Sequence, residues 1–430
     1  MTNAQETIEP HPNEAAVEVS PEPSGPITST DRIVSLDVLR GVGVLGILVM
    51  NIQAFAMIDA AYMNPTAAGA DQMTGVNFWV WYLSHVFADQ KFMTIFSMLF
   101  GAGIIVMTSR RETTGREATG LHYRRMGWLL LLGLLHAYLL WYGDILYTYA
   151  LCGMLVYLFR KLPPWLLLAL GLLATAVASA TFLFSGLSMP FWSEEAVAEF
   201  RDDSWMPLPK VVEQELADYR GGWLDQMGHR VPAVFFFQTF VFLMWTGWRA
   251  GGMMLIGMAL YKLGVFSATR SRAFYIGLVT VGAFVGIPTI IYGVHRNIAA
   301  HWDIKYSFFL GGQYNYWASI LVALGWVGLV MLACRAAVMG ALTRCLGAVG
   351  RMALTNYLLQ TLICTSIFYG HGLGLFGSFN RVQQILTVVA VWAVTLVLSP
   401  LWLRFFRFGP LEWLWRSLAY QKVQPMVRAG

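Results

Sequence analysis

Ten apolar runs, each long enough to cross a bilayer, leave this chain few folds to choose from. They cover residues 33–56, 78–108, 122–141, 144–160, 164–186, 234–263, 271–293, 314–337, 350–369 and 382–407 of a 430-residue sequence. Roughly 17 to 25 such residues suffice to span the hydrocarbon core. Only 12% of the residues are charged and 57% are hydrophobic, against about 25% charged in a soluble globular domain. An all-α, polytopic helical membrane protein is therefore expected, because a helix satisfies every backbone hydrogen bond within its own span. The second and sixth runs exceed a straight crossing, which predicts a tilt, a kink or an interfacial extension. Gly251 and Gly252 are the expected break in the sixth.

Orientation follows from the positive-inside rule. With the amino terminus in the cytoplasm, nineteen Lys and Arg fall on cytoplasmic segments and seven on outer loops. Arg40, Lys91 and Arg249 fall within spans, which accounts for all 29. This asymmetry predicts about ten transmembrane helices with both termini cytoplasmic. Residues 1–31 are rich in Pro, Glu, Ser and Thr and carry no apolar block, so a disordered tail is expected there. The remainder divides into five-helix halves over 32–186 and 233–420, an outer loop segment over 187–232 with nine acidic residues, and a short tail over 421–430. A net charge of +5 makes no case for nucleic acid. Cys152, Cys334, Cys345 and Cys364 lie in or beside apolar runs without CxxC spacing, which predicts free thiols and no metal site.

An ionisable side chain near the bilayer centre costs on the order of 2.5 to 3.5 kcal/mol, so such residues are functional candidates. In the first run, Asp37, Arg40 and Asn51 share one helix face, since steps of eleven and fourteen residues nearly close on whole turns. The Asp–Arg pair either neutralises itself within the packing or serves a function, and Asn51 on the same face strengthens the second reading. In the third run Arg125 and His136 are also eleven residues apart, about 16 Å along the helix axis. Asp144 follows Trp141, Tyr142 and Gly143, where a tight turn brings it back toward His136. A carboxylate that orients an imidazole suits a general base near neutral pH. The competing reading makes His136 a satisfied structural residue and Asp144 an N-cap for the fourth helix.

Other polar residues in the spans carry less. Lys91 is expected to pair with Asp89 or His85 or to snorkel, and Arg249 sits among small residues. Asn356 and Gln360, four apart, read as interhelical hydrogen-bond groups. His122, His229, His295, His301 and His371 lie at span ends or in loops and carry no spacing signal. No GxxxxGK[ST], HExxH or GxSxG motif occurs, so those routes to an ATP-driven pump, a zinc protease or a lipase have no support.

Five blocks, SLDVLRGVGVLGILVMNIQAF, DQKFMTIFSMLFGAG, GLLHAYLLWYGDIL, GRMALTNYLLQTLICT and GPLEWLWRSL, resemble in this order the YeiB family of bacterial inner-membrane proteins, from about Arg32 to Tyr420. Arg40, Gly41 and Asn51 also resemble the first helix of the heparan-glucosaminide acetyltransferase family, grouped with YeiB among transmembrane acyltransferases. The resemblance implies a ten-helix core in the inner membrane that moves an acyl group from cytoplasmic acyl-CoA to a hydroxyl or amine on a small-molecule or glycan acceptor. In the heparan enzymes a histidine closely follows the Asn. The segment IQAFAMIDAAYMNP has none, so His136 has to serve from another helix. On this layout Arg124 and Arg125, with Arg110 and Arg111, hold the nucleotide phosphates, and Arg40, Asp37 and Lys91 join the donor-binding set. The pantetheine arm runs along the polar faces of spans one and three toward a catalytic set of His136, Asp144 and Asn51. The bilayer and the acceptor are the expected partners, no metal is required, and a homo-oligomer is left open. A transporter of a small metabolite, using the same polar cavity without chemistry, is the alternative, and an assembly partner with purely structural polar groups is a third reading.

Overall fold

A computed structural model describes residues 34–428, apart from 114, 116 and 337–339, so the expected N-terminal tail lies outside the described residues. Each apolar run forms helix. Helix α1 (Val34–Ala56) is followed by the single turn α2 (Ala60–Met63), α3 (Gly75–Phe87) and α4 (Lys91–Thr113). Next come the antiparallel neighbours α5 (Thr119–Leu139) and α6 (Leu146–Val156), then α7 (Pro164–Ser188). The segment expected as an outer loop is itself helical, with α8 (Glu194–Phe200) and α9 (Pro209–Arg220) preceding α10 (Met227–Phe236). Then follow α11 (Gly247–Lys262), α12 (Arg272–Val281), α13 (Ile287–Ala299), the short α14 (Ile304–Tyr306) and α15 (Gly312–Ala336). The chain closes with α16 (Gly340–Arg351), α17 (Ala353–Phe368), α18 (Arg381–Phe405) and α19 (Pro410–Tyr420). Among the described residues there is no strand, only an isolated bridge between Phe406 and Val427.

Local chemistry sets several boundaries. Pro164 and Pro410 open α7 and α19 at positions whose N–H is not needed. Asn380 and Gln383 form a reciprocal capping box at the start of α18. Wide π turns join α10 to α11 and α12 to α13, so each pair runs as one helical rod. Among the described residues, seven helical stretches are long and apolar enough to cross a membrane: Val34–Ala56, Gly75–Thr113, Pro164–Phe191, Met227–Lys262, Arg272–Ala299, Ile304–Ala336 and Arg381–Phe405. The helices Leu146–Phe159 and Ala353–Phe368 are apolar but shorter. The chain is thus an all-α, polytopic helical protein of the membrane type.

The two overlong runs resolve differently. The second is broken between α3 and α4, where Gln90 takes the left-handed backbone region at φ +64°. Helix α4, with 23 residues, reaches about 35 Å alone, so α3 is surplus to the crossing. The sixth run has no break at Gly251 and Gly252, contrary to expectation, and both stay helical within α11. The reason is packing: a Cβ on Gly252 would intrude on the Gly171 carbonyl of α7, so this glycine lets two helices touch. Gly350 does the same for α16 against the Asp37 carbonyl of α1.

Helix α17 holds a central place. Its Gln360 amide donates to the Val44 carbonyl of α1 (3.4 Å), and its Asn356 exchanges hydrogen bonds with Ser399 of α18, so both join helices. Glu412 of α19 accepts from the first backbone N–H groups of α17, at Leu354 (2.7 Å) and Thr355 (3.1 Å). Burial raises the Glu412 carboxyl against these hydrogen bonds.

The segment 187–232 meets the end of α5 away from Arg124 and Arg125. The Leu139 carbonyl there accepts from Trp223 Nε1 (2.7 Å) and Arg230 (3.1 Å). Fifteen residues of helix separate Arg124 from Leu139, about 22 Å. Reporter fusions placed after Arg116 and within 187–232 are therefore expected to give opposite compartments, with Arg116 cytoplasmic. The same compartment from both would end the ten-span topology.

Candidate functional site

One buried polar constellation joins α5, the turn after it, and α17. His136 Nδ1 lies 2.7 Å from Asp144 Oδ2, and the two side chains are 0% and 1% exposed. His136 Nε2 lies 3.0 Å from Thr361 Oγ1. The carboxylate contact assigns the proton to Nδ1, which leaves Nε2 to accept from the Thr361 hydroxyl. The second Asp144 oxygen accepts from Tyr147 N (2.8 Å), so one carboxylate caps α6 and orients the imidazole together. Gly133 permits this, because a Cβ there would meet Asp144 Oδ1 and the Tyr147 backbone. The Tyr357 and Trp141 rings wall the imidazole, with centroids at 5.2 and 6.4 Å. Thr361 also has a second acceptor within reach, the Tyr357 carbonyl at 3.3 Å.

Asn51 is half-buried on α1, and among the described residues its side chain makes no hydrogen bond. Neighbouring Leu48, Ile52 and Phe55 pack with Trp141 and Tyr142, with Phe55 and Trp141 ring centroids 4.1 Å apart. The buried Trp141 Nε1 has no partner among the described residues. Helix α17 lies between α1 and α5, touching one through Gln360 and the other through Thr361.

At the opposite end, Arg40 and Asp37 pair at 2.9 Å, with side chains 31% and 16% exposed. The pair sits in the first turns of α1 and keeps partial contact with the surroundings, so the expected buried pair is not found there. Its worth falls toward the ~0–1 kcal/mol of accessible ion pairs. Arg124 donates to the Ala419 carbonyl (3.1 Å) and to Gln421 Oε1 (3.3 Å). The Arg125 guanidinium lies 4.5 Å over the Trp415 ring, whose Nε1 donates to the Arg125 carbonyl (2.8 Å). Arg40 is an electrostatic neighbour of Arg125. Arg111 Nε donates to the Glu117 carbonyl. Arg40, Arg124 and Arg125 are thus gathered at this end, around α19.

Lys91 is not part of that group. It begins α4, while Arg110 and Arg111 are in its last turn, about 28 Å away along the axis. Its Nζ donates to the His85 carbonyl (2.7 Å) and to Asn315 Oδ1 (2.6 Å). Asn315 Nδ2 in turn donates to Asp89 Oδ2 (2.7 Å), which also lies 3.1 Å from His85 Nδ1. Arg249, fully buried, adjoins this network through Thr94 (3.1 Å), Ser319 (2.7 Å) and the Tyr316 carbonyl (2.9 Å). Asp89 is the carboxylate that faces both buried cations, reaching Lys91 through Asn315 and Arg249 through space rather than by direct ion pairs.

A further group near Leu139 lay beyond sequence reasoning. Asp59, just past α1, meets Glu215 of α9 and His229 of α10. Burial, reinforced by the Asp59 charge, pushes the Glu215 carboxyl up to about 8. Arg381, also buried, is held by the neutral oxygens of Gln53 (2.6 Å), Gln72 (3.2 Å) and Pro65 (3.3 Å). All four cysteines are free.

Comparison with known proteins gives a family match over residues 260–422, to the model described as "Protein of unknown function (DUF418)". The chain is 34% identical to "Uncharacterized protein YeiB" of Escherichia coli K12 over 414 residues, covering 92% of this chain and 98% of that protein. It is 31% identical to "Uncharacterized protein YxaH" of Bacillus subtilis, covering 94% and 98%. An "Uncharacterized 39.9 kDa protein in amylase 3'region" of Bacillus acidopullulyticus is 25% identical over similar shares. No solved structure matches.

Proposed function

The chain belongs to the YeiB family, whose C-terminal part is the DUF418 region, and from that premise we propose that it is a multi-pass acyltransferase of the bacterial inner membrane. It takes an acyl group from acyl-CoA at the arginine-rich end and delivers it to a hydroxyl or amine acceptor. The Asp144–His136–Thr361 chain carries the reading. A base whose tautomer is held by a carboxylate, with Nε2 already on a hydroxyl at 3.0 Å, has the geometry for taking a proton from an O–H nucleophile. Thr361 holds the place that the acceptor takes, and turning its proton to the Tyr357 carbonyl frees the Nε2 lone pair.

In the proposed step the acceptor oxygen or nitrogen attacks the thioester carbonyl while His136 Nε2 removes its proton. The C–S bond breaks, and the thiolate takes that proton back from the imidazolium. Asp144 stabilises the imidazolium in between. The Asn51 amide, without a protein partner, is the proposed donor to the oxyanion. Arg125, Arg40 and Arg124 provide the charge for the nucleotide phosphates. The resemblance of Arg40, Gly41 and Asn51 to the first helix of the heparan-glucosaminide acetyltransferase family supports the same reading.

One observation favours a transporter instead: Asp89, Lys91 and Arg249 are ionisable groups buried together beside the break between α3 and α4, as in a substrate or ion pathway. Purified protein in nanodiscs, supplied with short-chain acyl-CoA, separates the two. Release of free CoA thiol that depends on protein and acceptor is the expected result. Counterflow of an unmodified solute with no thiol released would overturn it.

A further inference from the structure

Asp59, Glu215 and His229 come from three separate pieces of chain, yet one ligand-type atom from each lies within 4.8 Å of the others. Asp59 Oδ2 and His229 Nε2 are 3.3 Å apart. That equals the edge of a tetrahedron of donors placed about 2.0–2.1 Å from a central ion. Asp59 and Glu215 are also held from behind, and His229 faces a carboxylate at longer range. Tyr142 donates its hydroxyl to Asp59 Oδ1 (2.6 Å), leaving Oδ2 facing the imidazole. The Asp59 N–H donates to Glu215 Oε1 (2.7 Å), which leaves lone pairs on the second oxygen. His229 Nδ1 has Asp218 Oδ2 at 4.0 Å. A polar group behind each ligand is the usual construction around a bound metal.

A charged imidazole between two carboxylates would account for these contacts by themselves. It does not account for the tyrosines. The hydroxyls of Tyr219, 1% exposed, and Tyr369, fully buried, have no hydrogen-bond partner among the described residues. Asp59 is the strongest electrostatic neighbour of both, and the Tyr219 ring packs on the His229 imidazole with centroids 5.0 Å apart. Two buried phenols without a partner among the described residues, beside one carboxylate cluster, are groups that a bound species would satisfy. A cation with a water in its fourth position supplies that partner, and its two positive charges balance Asp59 and Glu215.

We propose that Asp59, Glu215 and His229 bind one first-row divalent cation, of the zinc or manganese class that suits mixed imidazole and carboxylate donors. The ion fastens α9 and α10 to the end of α1. The site is independent of the acyl-transfer reading.

The test uses the full-length protein in detergent, stripped with chelator and dialysed against Zn²⁺. Wild type retains about one ion per chain by elemental mass spectrometry. Glu215→Gln and His229→Ala lose it, and Asp218→Asn binds about 10- to 100-fold more weakly. Co²⁺ in place of Zn²⁺ gives wild type visible d–d bands that Zn²⁺ displaces, a readout that stands even if a variant fails to fold. Absence of these bands, or equal stoichiometry in wild type and folded His229→Ala, overturns the site.

Discussion

Replacing His136 by alanine is expected to lower acyl transfer by roughly 10² to 10⁴ while donor binding stays nearly intact. The imidazole acts on a proton in flight, and Arg125 of the donor-binding set lies about 16 Å down the same helix. Asp144→Asn separates orientation from charge. An asparagine can still accept from Tyr147 N, so the α6 cap survives, but its amide now donates to Nδ1 and moves the imidazole proton to Nε2. A loss comparable to His136→Ala or somewhat smaller is expected. Thr361→Ser keeps the hydroxyl and is tolerated far better than Thr361→Val. Arg125→Ala shows the opposite pattern, with a higher donor KM and a turnover largely recovered at saturation. Steady-state rates on variants matched by size-exclusion profile check the set. Wild-type turnover in folded His136→Ala would remove the residue from catalysis and bring the transporter reading forward.

The second large effect falls on stability. Asp89→Ala leaves Lys91 and Arg249 buried without a carboxylate, and removing one member of such a group typically costs about 3–5 kcal/mol. A sharply lower melting midpoint in detergent and a lower folded yield are expected. Asp89→Asn combined with Lys91→Met removes a charge of each sign and keeps a hydrogen-bonding amide beside Asn315. It should recover most of the loss. An unchanged midpoint in Asp89→Ala would mean that water or a neutral Lys91 already relieves the network. Asp37→Ala should cost far less, because that pair stays partly accessible.

These two networks also show what a sequence carries and what it does not. Helix positions were legible because apolar runs of bilayer length admit little else, and the His136–Asp144 contact was legible because a tight turn can close only eight residues. Thr361 was not, since it stands 225 residues from His136 and meets it only through packing. Asp59, Glu215 and His229 were hidden for the same reason, and His229 had looked like an unremarkable residue at a span end. Depth was misjudged for Asp37 and Arg40, because helical periodicity gives the face of a residue and says little about its immersion. Gly251 and Gly252 signalled flexibility in isolation, whereas the neighbouring helix α7 turns Gly252 into a contact surface.

Consecutive residues on a helix point about 100° apart, and on α17 two of them, Gln360 and Thr361, hold different neighbours. The helix therefore acts as a spindle. A turn of the helix about its axis would strain the Val44 and the His136 contacts together. Any rotation of α17 would therefore be felt at once on α1 and at the imidazole on α5, which also share the packed Phe55 and Trp141 rings.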